Sequence, residues 1–446
     1  MSRPQEQTKE LNPTQLIILT FAAACIAGGL LLEIPIATHE DISFIDAVFT
    51  ATSAVCVTGL VVVDTGTAFT DFGKLVILLL IQVGGLGITT YGVVFTSVLT
   101  GRISLKDRAM IRDSFAHFGV VNFRHLLYEI VIFTLLTELL GAIFLFIFIP
   151  YDGFFTALFH AVAAFCNAGF SFYRDSFTGY RGSVGVNLVL VWLIIMGGIG
   201  FLTVRDLRLY VLKKIPQISL HSRIVLLVSA FLLIAGTFAV LIFEWDNALV
   251  GMPIKEKVLT SLFQSASART AGFNTVDLTL LSSSTLLVLI ILMFIGTSPG
   301  SCGGGVKTST LAVMLALAKN RSLGRDEVFL FKRTIPKDIV SKALTVVTAS
   351  LLVIILMSLL LTASEGWGNP YTKMPGAFMD ALFETVSAFG TVGLSVGNTA
   401  ELSTFGKIVV IFTMFIGRVG PLALALAVGG EKAIRYKYAE ERVMVG

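Results

Sequence analysis

Four short stretches of this chain share one pattern of residues, and each ends in a glycine that suits cation binding by backbone carbonyls. A phenylalanine precedes the glycine in each stretch, at a distance of 10, 10, 9 and 10 residues. Glycine adopts dihedral angles that other residues avoid, so it can turn neighbouring carbonyls toward a common axis. Rings of carbonyl oxygens replace the hydration shell of the ion in potassium filters. The candidate residues are Val57, Thr58, Gly59, Asn167, Ala168, Gly169, Thr270, Ala271, Gly272, Thr391, Val392 and Gly393.

About a dozen mostly apolar residues precede each glycine, and they predict four short helices that enter a membrane without crossing it. The predicted segments are 43–56, 154–166, 256–268 and 376–389, all shorter than the ~20 residues that a span needs. Asp46, Thr156, Thr260 and Asp380 suit the first turns of these helices. Their partially negative C-terminal ends would converge on one axis and favour a cation there. The chain then leaves the helix at membrane depth, which is tolerated only where it is buried in protein or lines a cavity.

The composition of the whole chain is that of a polytopic membrane protein. Of 446 residues, 55% are hydrophobic and only 14% are charged, and the mean hydropathy is +0.86. Soluble proteins carry about 25% charged residues. Eight segments reach spanning length, some of them interrupted: 14–32, 75–99, 126–149, 186–204, 224–243, 285–317, 343–362 and 408–428. We therefore predict an all-α fold with eight transmembrane helices and re-entrant pore loops.

Positive charge is concentrated in alternate loops, and this asymmetry predicts the orientation of the chain. The two tails and the segments 100–124, 204–223 and 318–342 together hold 23 of the 33 Lys and Arg residues. Cytoplasmic loops carry this excess in membrane proteins. We expect a multi-pass protein of the cell membrane with both termini in the cytoplasm and the short helices on the outer side. The segments 100–124 and 318–342 act as topology determinants or as a docking surface.

The short helices and their glycines recur along the chain with steps of 110, 103 and 121 residues from one glycine to the next. A second glycine follows each of them, at Gly84, Gly197, Gly296 and Gly417. A fixed internal period indicates repeated structural units. We predict four fused span–pore helix–span repeats around a pseudo-fourfold pore. The expected units are 13–99, 100–204, 205–317 and 318–430, and the expected cytoplasmic tails are 1–12 and 431–446.

Two features of the later spans suggest control of a pathway. The sixth span contains Thr-Ser-Pro-Gly-Ser-Cys-Gly-Gly-Gly-Val-Lys at 297–307, and glycine and proline destabilise helix interiors. Interrupted spans often mark transport sites, although a passive kink is the alternative. Arg418 lies within the last predicted span, where a charge is costly and functional by default. The alternative is a side chain that reaches the cytoplasmic interface.

With these motifs, the chain resembles the Trk/Ktr/HKT superfamily of potassium transporters from about residue 13 to 430, and most of all its Ktr-type membrane subunits. The resemblance implies a single pore for K⁺, with Na⁺ as an activator or coupled ion, and no covalent cofactor. It also implies a homodimer in the lipid bilayer, a cytoplasmic nucleotide-binding regulatory ring of the KtrA type, and no nucleic acid partner. In this family, glycine at the first filter position of all four copies accompanies potassium transport, and serine in the first copy accompanies sodium preference.

The same resemblance implies that the loop 296–307 is an intramembrane gate beneath the filter, with the Arg418 side chain against it. Glycines in the loop would give it softness. Lys307 would face the pore or cap the following helix. The residues assigned to the gate are Gly296, Gly300, Gly303, Gly304, Gly305, Lys307 and Arg418.

Other polar residues receive structural interpretations. Thr50, His160, Gln264 and Glu384 each follow the repeated phenylalanine, and we expect them to form hydrogen bonds behind the filter. We expect the Asn167 side chain to support the filter and Arg269 to be an architectural residue near the outer mouth. We expect Glu129 and Glu138 to be packing polar groups, and the alternatives are that they pair with basic groups of neighbouring helices or mark an ion pathway.

Two alternatives to potassium uptake remain. The first keeps the fold and changes the ion to sodium or another monovalent cation such as ammonium. The second is a polytopic membrane enzyme, which would need catalytic groups that converge at membrane depth. The five histidines are scattered, and the four cysteines have neither metal-ligand nor disulfide-framework spacing. The sequence therefore favours a pore over an enzyme.

Overall fold

The computed structural model describes residues 13–87, 123–366, 370, 376–421 and 423, and within them the fold is almost entirely helical. The helices are α1 Pro13–Glu33, α2 Phe44–Val55, α3 Thr65–Ala68, α4 Asp71–Leu86, α5 Phe123–Phe148, α6 Gly153–Phe165, α7 Val184–Gly198, α8 Phe201–Val211, α9 Leu220–Phe243, α10 Ile254–Ser267, α11 Ser283–Phe294, α12 Thr308–Ser322, α13 Lys337–Gly366, α14 Ala377–Gly390 and α15 Thr404–Val419. Strands β1 Val328–Leu330 and β2 Arg333–Ile335 form an antiparallel hairpin between α12 and α13. The predicted tails 1–12 and 431–446 and most of the basic segment 100–124 lie outside the described residues.

Four long apolar helices, α1, α5, α9 and α13, begin the four predicted units. They contain 21, 26, 24 and 30 residues, which corresponds to about 30–45 Å at 1.5 Å per residue. A hydrocarbon core about 30 Å thick is therefore within their reach. Only 22–39% of their most apolar stretches is buried within the described structure. The remaining apolar faces suit contact with lipid.

The four short helices are α2, α6, α10 and α14, and each begins and ends within two residues of its predicted bounds. Their C-terminal halves are fully buried, and the repeated phenylalanines at 49, 159, 263 and 383 are among the most buried large side chains. In α2, the Ser43 side chain caps the helix by accepting the backbone N–H of Asp46 at 3.2 Å. The all-α polytopic class and the bounds of the short helices are as the sequence predicts. The position of Thr260 is not, because α10 begins at Ile254 and Thr260 therefore lies in its second turn.

The second helix of each unit is shorter than predicted, because the chain breaks at a similar place in all four. The predicted spans 75–99, 186–204 and 408–428 are not continuous: α4, α7 and α15 end at residues 86, 198 and 419. A glycine with φ of 84°, 92° and 95° follows at Gly87, Gly200 and Gly420, a conformation that side chains disfavour. After Gly200 the chain turns by 99° into α8. In the third unit, the loop 295–307 separates α11 from α12.

The first and last units meet although no peptide segment joins them directly. The Nζ of Lys407 in α15 lies 2.6 Å from Oδ1 of Asp46 in α2, and both side chains are mostly buried. At the matching position of the first unit, Lys74 lies over the ring of Phe172 in the second unit, 5.1 Å from its centroid. In both contacts, a lysine in the second helix of one unit binds a side chain of the next unit in cyclic order.

Candidate cation site

The segment after each short helix has the same unusual backbone. Its first residue and its third residue, the glycine, both have positive φ, and the middle residue does not. Positive φ is rare outside glycine and costs strain that the surrounding structure must hold. The first residues are Val57, Asn167, Thr270 and Thr391, with φ of 56°, 58°, 73° and 50°. The repeated strain shows that the four segments share one conformation.

The four segments close into a ring. The middle carbonyl of each segment lies so close to the glycine of the preceding segment that any added Cβ would collide with it. The pairs, in cyclic order, are Gly59 with Ala168 O, Gly169 with Ala271 O, Gly272 with Val392 O and Gly393 with Thr58 O. The last pair returns to the first unit, so the order is fourfold and complete. Backbone approach of this kind leaves no room for a side chain at the four glycines.

Backbone N–H groups of the ring segments bond back to their own short helices. The N–H of Thr58 donates to Ser53 O at 2.8 Å, and that of Ala168 donates to Ala163 O at 2.7 Å. The Ser53 hydroxyl also accepts the N–H of Gly59 at 3.0 Å. With their donors used on the helix side, the carbonyl oxygens of the segments remain available toward the axis.

Polar residues behind the ring hold the chain that leaves it. In the fourth unit, Glu384 accepts hydrogen bonds from the Ser395 hydroxyl, from the Val396 N–H at 3.2 Å and from the Thr399 hydroxyl at 2.7 Å. In the second unit, the Nε2 of His160 lies 3.2 Å from the N–H of Phe172.

The expected bonds behind the ring are therefore present in two units. In the other two units these bonds are absent from the part of the chain that the structure describes. In the first unit the Thr50 hydroxyl donates to Asp46 O of its own helix, and in the third unit the Gln264 side chain forms no hydrogen bond with the described residues. The Asn167 side chain forms none with them either, so the structure does not show the expected support of the ring by Asn167.

A cavity of about 690 Å³ opens over the ring, and all four ring glycines line it together with the segments that follow them. Asp64, Asp175 and Asp277 lie in its wall, as do Arg174 and Arg181. At its edge the Tyr173 hydroxyl donates to Asp152 at 2.5 Å. Burial, followed by this hydrogen bond, raises the pKa of Tyr173 above its ordinary value. The ring is therefore open to a polar cavity on one side.

The loop 295–307 lies against the other side of the ring. An added Cβ at Gly303 would collide with Oγ1 of Thr270, and one at Gly304 would collide with Oγ1 of Thr391. These glycines thus allow close packing beneath the ring, a role that the sequence did not indicate. Gly300 and Gly305 have φ of 68° and 67°, and Ile295 pairs with Val306 where the loop begins and ends.

Arg418 and Lys307 both bind the loop. The guanidinium of Arg418 donates to the carbonyls of Cys302 in the loop and Gly84 in α4, and lies 3.4 Å from Gly85 O. The Nζ of Lys307 donates to Gly303 O at 2.7 Å. Lys307 precedes α12 without capping it through its side chain. Both cations line a cavity of about 380 Å³ on the side of the loop away from the ring.

One predicted position is wrong. Arg269 is not near an outer mouth: it is buried at the C-terminal end of α10, and its guanidinium donates to the backbone and side-chain oxygens of Ser229 in α9 at 3.2 and 3.0 Å. The sequence did not show that the Arg269 side chain turns toward Ser229 of the neighbouring helix α9. Its architectural role, a link between α9 and α10, agrees with the expectation.

Sequence reasoning missed a polar link behind the second ring segment. Glu138, 3% exposed in α5, accepts a hydrogen bond from Gln82 of α4 at 3.1 Å and lies 3.7 Å from Sγ of Cys166. Cys166 directly precedes the ring segment of its unit. A lone glutamate in an apolar helix was the available signal, because such a residue needs a partner. The structure supplies that partner from another unit.

Together, these features define a polytopic membrane protein built from four similar units, whose backbone carbonyls form a ring between a polar cavity and a glycine-rich loop. The sequence model of the TrkH family, described as a cation transport protein, matches residues 12–431. The chain belongs to this family. Because the family is one of cation transporters, the enzyme alternative is excluded.

Three relatives extend along nearly the whole chain. The chain is 38% identical to the Ktr system potassium uptake protein B of Bacillus subtilis, over 98% of this chain and 97% of the relative. It is 37% identical to the potassium/sodium uptake protein NtpJ of Enterococcus hirae, over 98% of each. The crystal structure of the potassium transporter TrkH from Vibrio parahaemolyticus matches with a TM-score of 0.72 at 18% identity, over 95% of this chain and 86% of that one. This last likeness concerns the fold.

Proposed function

We propose that the chain takes up potassium across the cell membrane and that the four ring segments are its selectivity filter. The cyclic contact of each glycine with the next segment's carbonyl carries the proposal. A carbonyl ring can replace the water around K⁺, and the C-terminal ends of four helices add a favourable negative potential. Relatives of near-full length are named potassium uptake proteins, which supports this choice of ion.

The loop 296–307 acts as the gate in this proposal, and Arg418 holds it closed. The loop contacts the ring through Gly303 and Gly304, so an ion leaving the ring meets backbone. The charge of Arg418 repels a cation at this level, since charges interact strongly where water is scarce. Arg418 also ties the loop to α4 through Cys302 and Gly84. Opening therefore requires these bonds to break.

The proposed orientation has both termini in the cytoplasm and the 690 Å³ cavity open to the outside of the plasma membrane. The four units of the transporter are those predicted from the sequence. Relatives named as part of a Ktr system support a partnership with further subunits. We propose that the partner is a cytoplasmic nucleotide-binding ring that moves the gate, and that the membrane subunit is a homodimer.

Sodium is the second candidate ion. The Enterococcus hirae relative is named a potassium/sodium uptake protein, so sodium is proposed as an activator or coupled ion of potassium uptake. Transport of sodium as the main ion is the alternative within the same fold. Gly59 favours potassium over sodium, because in this family glycine at this position of the first unit accompanies potassium transport and serine accompanies sodium preference.

Ion uptake into liposomes containing the purified protein tests the proposal. We expect K⁺ uptake that excess Na⁺ does not abolish. Gly59→Ser should weaken discrimination of K⁺ over Na⁺, because its Cβ would collide with Ala168 O. Gly179→Ser is the matched control, since an added Cβ there meets nothing within 4 Å. Equal uptake of both ions by the wild type, or unchanged discrimination in Gly59→Ser, would contradict the filter assignment.

A further inference from the structure

Helix α8 continues the chain of α7 in a different direction. The two helices enclose an angle of 99° across residues 199–200. Transmembrane helices tilt on average about 20° from the membrane normal, so α8 lies within about 30° of the membrane plane. Arg205 and Arg208 of α8 pair with Glu129 of α5 at 3.5 and 3.9 Å. Because Glu129 lies near the start of the apolar stretch Leu127–Phe148, α8 lies at the edge of the hydrocarbon region.

The end of α8 presents apolar and cationic side chains together. We call Arg208, Tyr210, Val211, Leu212, Lys213 and Lys214 the α8 tip. Val211 is 75% exposed and Leu212 is 52% exposed. Lys213 and Lys214 are exposed too, and neither forms an ion pair with a described residue. Helices with this combination lie in the membrane interface, apolar side chains among the acyl chains and cations among the headgroups.

The bend between α7 and α8 is bonded to the gate loop on both sides. Before the bend, the carbonyls of Gly197 and Gly198 in α7 accept the N–H groups of Cys302 and Ser298, both at 3.1 Å. After the bend, the N–H of Phe201, the first residue of α8, donates to Gly300 O at 2.9 Å. A change in the direction of α8 relative to α7 must therefore move the loop or break the bond between Phe201 and Gly300.

We propose that the α8 tip binds the anionic headgroups of lipids in the cytoplasmic leaflet and that this contact helps to keep the gate loop closed. The gating half of this inference rests on the proposed function. An anionic lipid surface fits better than a soluble protein partner, because the exposed apolar side chains lie at the level of the bilayer edge. Each Lys or Arg near an anionic surface adds about fivefold in affinity, so Lys213 and Lys214 together supply about 25-fold.

The test compares the full chain in nanodiscs and liposomes of phosphatidylcholine alone or mixed with phosphatidylglycerol. Hydrogen exchange of residues 204–214 measures the contact, and K⁺ flux measures the gate. The test variant is Lys213→Gln with Lys214→Gln. The control is Lys332→Gln with Lys337→Gln, which removes the same charge from exposed positions of the hairpin region that have no bond to the loop.

For the wild type and the control, phosphatidylglycerol should slow exchange of residues 204–214 and lower K⁺ flux, by up to about 25-fold. The test variant should show fast exchange and high flux in both lipids. The proposal would be overturned if the hydrogen-exchange rate of residues 204–214 were the same in both lipids, or if the test variant responded to phosphatidylglycerol like the wild type. Protection that appears only with an added protein would also overturn it. If the wild type carries no K⁺ in either lipid, the transport proposal fails. The hydrogen-exchange measurement alone then decides whether the α8 tip binds lipid.

Discussion

Replacing Arg418 with glutamine should open the gate. The Arg418 guanidinium donates to Cys302 O in the loop and to Gly84 O in α4. Glutamine is shorter and neutral, so it loses the charge and cannot reach both carbonyls at once. The loop then loses its link to α4 while its glycine contacts with the ring stay unchanged. We expect a higher basal K⁺ flux in the absence of any regulatory subunit.

The size of the effect follows from the bonds that are lost. A hydrogen bond to a charged group contributes about 1.5–3 kcal/mol. If glutamine keeps one neutral bond of about 1 kcal/mol, the closed state loses about 2–5 kcal/mol, and each 1.4 kcal/mol is a factor of ten. The ratio of open to closed loop should rise by about 30-fold to about 4,000-fold. Flux rises by the same factor until the open state dominates.

The measurement is ⁸⁶Rb⁺ uptake into liposomes at equal protein density, with size-exclusion profiles and melting curves to verify folding. Arg418→Lys keeps the charge but offers one donor group, so its flux should lie between the two. Arg269→Gln is the matched control, because this buried guanidinium bonds to Ser229 and not to the loop. Wild-type or lower flux in a folded Arg418→Gln protein would refute the gating role of this residue.

Three further outcomes are expected. Gly304→Ala should raise basal flux in the same assay by pushing the loop off the ring, whereas Gly366→Ala, where an added Cβ meets no neighbour, should not. A double-mutant cycle of Lys407→Met and Asp46→Asn should give a coupling free energy of about 1–2 kcal/mol in unfolding experiments, because the pair is mostly buried. An absence of coupling would mean that this ion pair does not stabilise the contact between the first and last units. Glu244, which directly follows α9, accepts hydrogen bonds from the side chains of Asn247 and Ser282, both at 2.7 Å. Burial favours a higher pKa for Glu244, but hydrogen bonds of this kind outweigh burial and lower that pKa below its ordinary value. Its stabilising effect is complete above the ordinary carboxyl pKa and is lost as the pH falls, so melting temperatures between pH 7 and 3 should drop more for the wild type than for Glu244→Gln.

The short helices and the ring positions could be predicted from the sequence because local chemistry determines them. A polar residue near the start such as Asp46, about a dozen mostly apolar residues and a glycine indicate the position of each short helix. Four repetitions then indicate a shared conformation. The predicted bounds are within two residues of those observed. The assignment of these segments to ion binding stays a prediction until binding is measured.

The glycines and the proline at 297–307 predict the break in the third unit, which the structure confirms. The breaks in the second helices of the other three units could not be predicted in the same way. Gly87, Gly200 and Gly420 lie in or beside apolar stretches, and hydropathy does not distinguish a glycine that packs from one that ends a helix. The bend at Gly200 is fixed by bonds to the loop, such as that between the Phe201 N–H and Gly300 O, which depend on contacts about 100 residues apart in the chain.

Contacts that depend on tertiary structure could not be predicted either. The composition of the loop predicts a flexible segment, because glycine is permissive in general, and this stays a prediction. The fold adds a packing role, since an added Cβ at Gly303 or Gly304 would collide with Thr270 or Thr391. Arg269 was misplaced for a related reason, since its partner Ser229 is on another helix.

Anomalous X-ray diffraction from crystals grown with Rb⁺ in place of K⁺ would show whether the ring binds a potassium-like cation. We predict Rb⁺ density on the axis of the ring, within coordination distance of the carbonyls of Thr58, Ala168, Ala271 and Val392. Addition of Na⁺ at the same concentration should leave that density in place. An empty ring in crystals that bind Rb⁺ elsewhere, or density that Na⁺ displaces, would contradict a potassium filter at these residues.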